Sequence, residues 1–217
     1  MASGRGSNLE AVLDAVADGR LSGVRPVLVI SNRPAVRALA VAAAHRVPAR
    51  ILRRADFVDD AARDAAIGSA LRESGAELAL LAGYDRLLHR SFFDAFGGRT
   101  INIHPSLLPR HGGAGMVGLA VHRAVLAARD AESGVTVHEV TAELDAGEVI
   151  AQARVPVEAD DSPEALAERV LREEHRLIVE VLAAISAAMG DGDPSGSMAA
   201  APPASRSSGT QQRSPDA

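Results

Sequence analysis

Short apolar runs alternate with helix-period segments along residues 1–189. Val27-Leu28-Val29-Ile30 is apolar on both faces, the pattern of a buried strand, and Ser31-Asn32-Arg33-Pro34 ends it. Residues 35–45 predict a helix, 49–52 a short strand, and 60–75 a helix that stops at Gly75. Residues 78–82 form a second buried run closed by Gly83, and 100–104 a third that ends at Pro105. Residues 121–129 predict a helix and 135–140 an alternating strand. Residues 149–157 predict another strand, with Pro156 suggesting an edge or a bulge. Residues 162–189 read as a long amphipathic helix, with Ser162 as its N-cap and Pro163 at the first helical position. Strand–helix alternation with doubly apolar strands argues for an α/β layered domain with a mostly parallel central sheet. Ligands in such sheets sit at the carboxyl ends of the strands. Three polar clusters obey that rule: residues 4–8, 83–88 and 102–109.

No internal repeat is visible. From residue 190 the composition turns to Gly, Pro, Ser, Ala and Gln, so the chain divides into a domain, 1–189, and an expected disordered tail, 190–217. Aromatic residues are only 2%, which leaves Ala, Val, Leu and Ile to build the core. Cysteine is absent, which excludes disulfides and thiolate chemistry and fits a cytoplasmic protein. All 23 basic residues are Arg, so lysine Schiff-base chemistry and a P-loop lysine are excluded. The net charge of −5 and the lack of a basic run argue against a general nucleic-acid binder. No apolar run approaches the roughly 18 residues that span a bilayer, and no signal peptide is visible. Small molecules are the expected partners, and a homodimer is compatible with the sequence.

Gly4-Arg5-Gly6-Ser7-Asn8 precedes a helix expected from Leu9. Glycines let the backbone curl so that helix-start N–H groups converge on an anion, which makes this a candidate phosphate cradle. An ordinary turn with a Ser or Asn N-cap is the alternative. A loop of this kind follows a strand, yet only Met1, Ala2 and Ser3 precede it, so the first strand is read as truncated and the true start codon as upstream. An intact mass matching Met1 as the first residue of the native protein would refute that.

Asn102 and His104 end an apolar strand, and period 2 puts both on one face. A neutral amide donor beside an imidazole can serve one developing oxyanion. The alternative is a buried His with a backbone partner and an Asn in a turn. Asp145 lies in a loop between two strand patterns, and its own sequence context favours a solvated turn residue before Gly147. A carboxylate near His104 would orient the ring and favour its charged form. His138 reads as a core or supporting histidine. His45, His89, His111, His122 and His175 are scattered without metal-ligand spacing, so no catalytic metal is expected.

Ser3-Gly4-Arg5-Gly6-Ser7-Asn8, Asn102-Ile103-His104-Pro105-Ser106-Leu107-Leu108-Pro109 and Glu143-Leu144-Asp145-Ala146-Gly147 occur in this order. Together they resemble the folate-dependent phosphoribosylglycinamide formyltransferase family over nearly all of 1–189. The resemblance implies a Rossmann-like fold, with 10-formyltetrahydrofolate as the co-substrate. It implies Asn102, His104 and Asp145 as catalytic residues, and Gly6, Ser7, Asn8 and Glu174 as contacts of the phosphorylated amine substrate. Folate contacts would come from Arg86, Leu87, Leu88, Asn102, Thr141, Glu143 and Asp145. Three departures stand out. The first strand is truncated, the 111–118 loop is longer than the commonest form, and Asp60 stands where an Arg is common in 57–64. The long segment from Asn102 to Pro109 is shared with formyltetrahydrofolate deformylases and methionyl-tRNA formyltransferases. It therefore implies the chemistry more firmly than the acceptor. A deformylase, or a non-catalytic Rossmann module that binds a dinucleotide through residues 4–8, remains an alternative. The latter would lack the third glycine of its motif, because Leu9 stands there.

Overall fold

The computed structural model describes residues 1–142 and 147–190. Its elements follow the alternation along the chain. They are α1 (Ser7–Ala17), β1 (Val29–Ser31), α2 (Arg37–Ala44), β2 (Ala49–Ile51), α3 (Asp60–Glu73), β3 (Leu78–Leu81), α4 (Arg90–Phe96), β4 (Arg99–His104), α5 (Leu119–Ala127), β5 (Glu132–Glu139), β6 (Val149–Pro156) and α6 (Pro163–Gly190). The Ser162 hydroxyl accepts from the Ala165 N–H at 3.1 Å, as an N-cap should. Helix α4 has no counterpart in the predicted elements. It is only seven residues long, and Phe92, Phe93 and Phe96 give it too short a period to recognise.

Strands β1 and β2 pair in parallel, as do β3 and β4, while β5 and β6 each run antiparallel to the strand before. Residues 1–3 join the two groups. The Met1 ammonium donates to the Leu80 carbonyl at 2.6 Å, and the Ala82 N–H donates to the Met1 carbonyl at 2.9 Å. On the other side, the Ala2 N–H donates to the Ile30 carbonyl at 3.0 Å. Three residues thus occupy the place of a strand between β1 and β3. The order β2-β1-(1–3)-β3-β4-β5-β6 is a mixed sheet, parallel through β4. Burial of the Met1 ammonium pushes its pKa down to about 5.

The sheet separates two packed layers. Ile101, Ile103, Val135, Val137, Ala153 and Val155 pack with Leu166, Val170, Ile178 and Leu182 of α6. Ile30, Ala79, Leu81 and Met1 pack instead with Ile67, Phe92 and Phe96 of α3 and α4. No helix among the described residues is long and apolar enough to cross a membrane.

Candidate active site

Ile101 and Ile103 face α6, so alternation turns Asn102 and His104 to the opposite face of β4, as the period-2 reading expected. The neighbouring strand has the same division. Val135 and Val137 face α6, while Thr136 and His138 lie across from His104 and Asn102 in register. The Asn102 amide nitrogen and His138 Nε2 are 3.1 Å apart, and His138 Nδ1 lies 2.8 Å from the Glu139 carbonyl. A carbonyl can only accept, so Nδ1 carries a proton in that contact. His138 is therefore the cross-strand partner of Asn102. Sequence reasoning placed it no more closely than a supporting role, because strand register is not local information.

The turn from Pro105 to Pro109 is pinned over this face. The Thr136 hydroxyl donates to the Ser106 carbonyl at 2.6 Å and accepts from the Leu108 N–H at 3.0 Å. Gln152 adds a bond to the Leu108 carbonyl at 2.9 Å. Leu107 lies over Gly134, where an added Cβ would strike both Leu107 and the Ala153 carbonyl. His104 is 5% exposed, and its Nε2 lies 2.9 Å from the His111 carbonyl. The buried His122 lies within electrostatic reach of His104. Burial, and then the charge of His104, hold its pKa below the ordinary histidine value.

Gly6 is the N-cap of α1 in a left-handed conformation with φ of 71°, and no side chain caps the helix. The Ser7, Asn8 and Leu9 N–H groups therefore form an uncapped first turn, which suits an anion. This arrangement rules out the Ser or Asn N-cap alternative. The amide nitrogen of Asn8 donates to Glu174 Oε1 at 3.1 Å, and its buried Oδ1 has no protein partner among the described residues.

Glu174 is 8% exposed, and burial pushes its pKa up to about 7 against the opposing pull of the Asn8 bond and Arg5. A raised carboxyl pKa adds stability that is fully present below about 4.5 and is lost as pH rises through about 7. The depressed Met1 amine acts in the opposite sense, adding stability as pH rises from about 5 to about 8. Glu174→Gln removes only the first effect. The unfolding free energy of that variant, from urea titration, is therefore expected to exceed wild type at pH 8, by up to roughly 3 kcal/mol, and to converge with it near pH 4.5. An equal offset at both pH values would contradict the assignment.

After β3, Leu88 is buried while Leu87 is 55% exposed. Asp85 is tied to the strand ends. Burial would raise its pKa, but bonds from Asn32 and Ser3 and the Arg33 charge hold it below the ordinary range. Arg86 reaches Asp85 at 4.0 Å with an otherwise exposed side chain. In the segment that lacks the common Arg, Asp60 pairs with the buried Arg63 at 2.9 Å. Thr141 is exposed at the mouth of the loop, and Glu143 and Asp145 lie outside the described residues.

The sequence pattern of the family described as formyl transferase matches residues 1–182. The chain belongs to the formyl transferase family. Among its curated relatives, the chloroplastic phosphoribosylglycinamide formyltransferase of Arabidopsis thaliana is 40% identical over 184 residues, covering 84% of this chain and 63% of that protein. The phosphoribosylglycinamide formyltransferase of Haemophilus influenzae is 35% identical, covering 81% of this chain and 80% of that protein. The chain spans only 13% of a matched trifunctional purine biosynthetic protein of Drosophila melanogaster. Among solved structures, a glycinamide ribonucleotide transformylase of Symbiobacterium toebii superposes with a TM-score of 0.80 at 39% identity, covering 86% of this chain and 85% of that one. The mixed sheet, with its helices on both faces, is thus the formyl transferase fold.

Proposed function

We propose that this formyl transferase family member moves a formyl group from 10-formyltetrahydrofolate to the amine of glycinamide ribonucleotide in purine biosynthesis, with residues 1–189 as the catalytic domain and the cytoplasm as its location. The observation that carries the choice of acceptor is the pairing of an uncapped helix start at Gly6 with the Asn8–Glu174 contact. Free N–H groups suit a phosphate, and the Asn8 Oδ1 and Glu174 carboxylate offer acceptors to a ligand's N–H or O–H groups. The exposed Leu87 after β3 offers an apolar surface that suits a flat heterocycle. Arg86, Leu88, Thr141, Glu143 and Asp145 complete the proposed folate contacts.

In the proposed reaction the acceptor's neutral amine attacks the formyl carbon, and the bond from that carbon to the folate nitrogen breaks. The amine loses one proton and the folate nitrogen gains one. Asn102 donates to the developing oxyanion, and the His104 ring supplies a second hydrogen bond or the proton. Asp145 supports the charged ring. The test is a formyl transfer assay with both substrates, run beside a thermal-shift titration. Formylated glycinamide ribonucleotide is the expected product, and that ligand, but not NAD, is expected to raise the melting temperature. Formate release without the acceptor would reassign the chain as a hydrolase.

A further inference from the structure

His104 reaches outward from the strand and ends on the backbone of the 111–118 loop, whose function is otherwise unassigned. Its Nε2 lies 2.9 Å from the His111 carbonyl oxygen. A carbonyl oxygen has no hydrogen to give, so the hydrogen of this bond belongs to Nε2. His111 itself is in the left-handed region with φ of 53°, where a non-glycine residue persists only if its surroundings hold it. Three contacts do so. His111 Nε2 lies 2.7 Å from Asp130 Oδ2, Arg110 pairs with the other Asp130 oxygen, and the Ser106 hydroxyl donates to the Arg110 carbonyl at 2.7 Å. The Asp130 side chain is 6% exposed, so this carboxylate is a buried anchor rather than a surface charge.

We infer that His111 and Asp130 are positioning residues that fix the tautomer of His104, keeping one proton on Nε2 so that Nδ1 faces the reacting atoms and carries the second proton that the charged ring donates there. This inference rests on the proposed role of His104, and the 111–118 loop then works through its first residue. The Asp130 carboxylate holds the His111 side chain, which holds the carbonyl in its unusual direction, which in turn holds the ring. Such a chain affects how well the ring is aimed rather than how tightly substrates bind, so its loss belongs in kcat.

Two measurements test this. Nitrogen NMR of histidine-labelled protein, with the His104 signals assigned by their loss in His104→Ala, is expected to show the neutral ring protonated at Nε2. A proton on Nδ1 would overturn the inference, whatever the enzyme's activity. His111→Ala is expected to lower kcat about tenfold with both KM values held within about twofold. His111→Gln, whose amide can still donate to Asp130, is expected to recover most of that loss. Wild-type kcat in His111→Ala, or no recovery in His111→Gln, would also overturn it. If His111→Ala does not fold, the NMR result on the wild-type protein decides alone. Failure of the proposed reaction reads differently, as no formylated glycinamide ribonucleotide from wild-type protein whose neutral His104 ring still carries its proton on Nε2.

Discussion

Purified His104→Ala protein is expected to keep its fold and to lose at least about 100-fold in formyl transfer turnover, and Asn102→Ala is expected to do the same. Removing one preorganised oxyanion donor typically costs on the order of 100- to 1000-fold, or roughly 3–4 kcal/mol of transition-state stabilisation. The geometry favours the upper part of that range. Both side chains sit on the apolar sheet's polar face, where water is a poor substitute and little reorganisation is left to the moment of reaction. Each also has a partner that fixes it, His138 for Asn102 and the His111 carbonyl for His104. The loss should fall on kcat, because an oxyanion exists only in the transition state and the adduct that follows. Near-wild-type turnover in either variant, with folding checked by circular dichroism, would remove that residue from the mechanism.

The second large effect is expected at the proposed phosphate end, residues 4–8. Gly6→Ala faces two obstacles. The backbone is left-handed, and an added Cβ would lie 2.8 Å from both Cα and Cβ of Ala38. Ala38 is fully buried on α2 and its N–H donates to the Gly4 carbonyl at 3.2 Å, so it has little room to retreat. Strain and overlap together should cost roughly 2–4 kcal/mol and lower the melting temperature by about 5–15 °C. The KM for glycinamide ribonucleotide should rise as well, since the same shift disperses the N–H groups of the first turn. Gly4→Ala is the control. Nothing lies within 4 Å of a Cβ built there, and its stability and KM should remain near wild type. Equal behaviour of the two variants would show that the loop does not depend on the close approach at Gly6.

Where the chain's own periodicity dictates structure, the sequence was readable. The strand at Arg99–His104 and the long helix from Pro163 are set by local alternation and by the Ser162–Pro163 cap. The shared face of Asn102 and His104 followed from the same rule. What escaped was non-local. Asn8 and Glu174 meet across 166 positions, and Asn102 and His138 across 36, in contacts that only sheet order and helix packing create. The His104–His111 contact is short in sequence, yet it runs to a backbone carbonyl, which no side-chain pattern announces. Residues 1–3 bridge β1 and β3, because three residues suffice to satisfy both neighbours at the end nearest the site.

The absence of lysine acquires a chemical meaning once Met1 is located. With no lysine in these 217 residues, no side chain offers a primary amine, and the Met1 nitrogen itself lies between strands and donates to the Leu80 carbonyl. Arginine stays protonated at neutral pH and is a poor nucleophile. In the proposed reaction the acyl donor therefore meets no lysine, and the acceptor has no side-chain amine to compete with. The same placement turns Met1 into a reporter. In protein made from Met1, an amine-directed acylating reagent would mark the chain only in molecules whose first residues have left the sheet, so the extent of labelling would measure how often that edge opens.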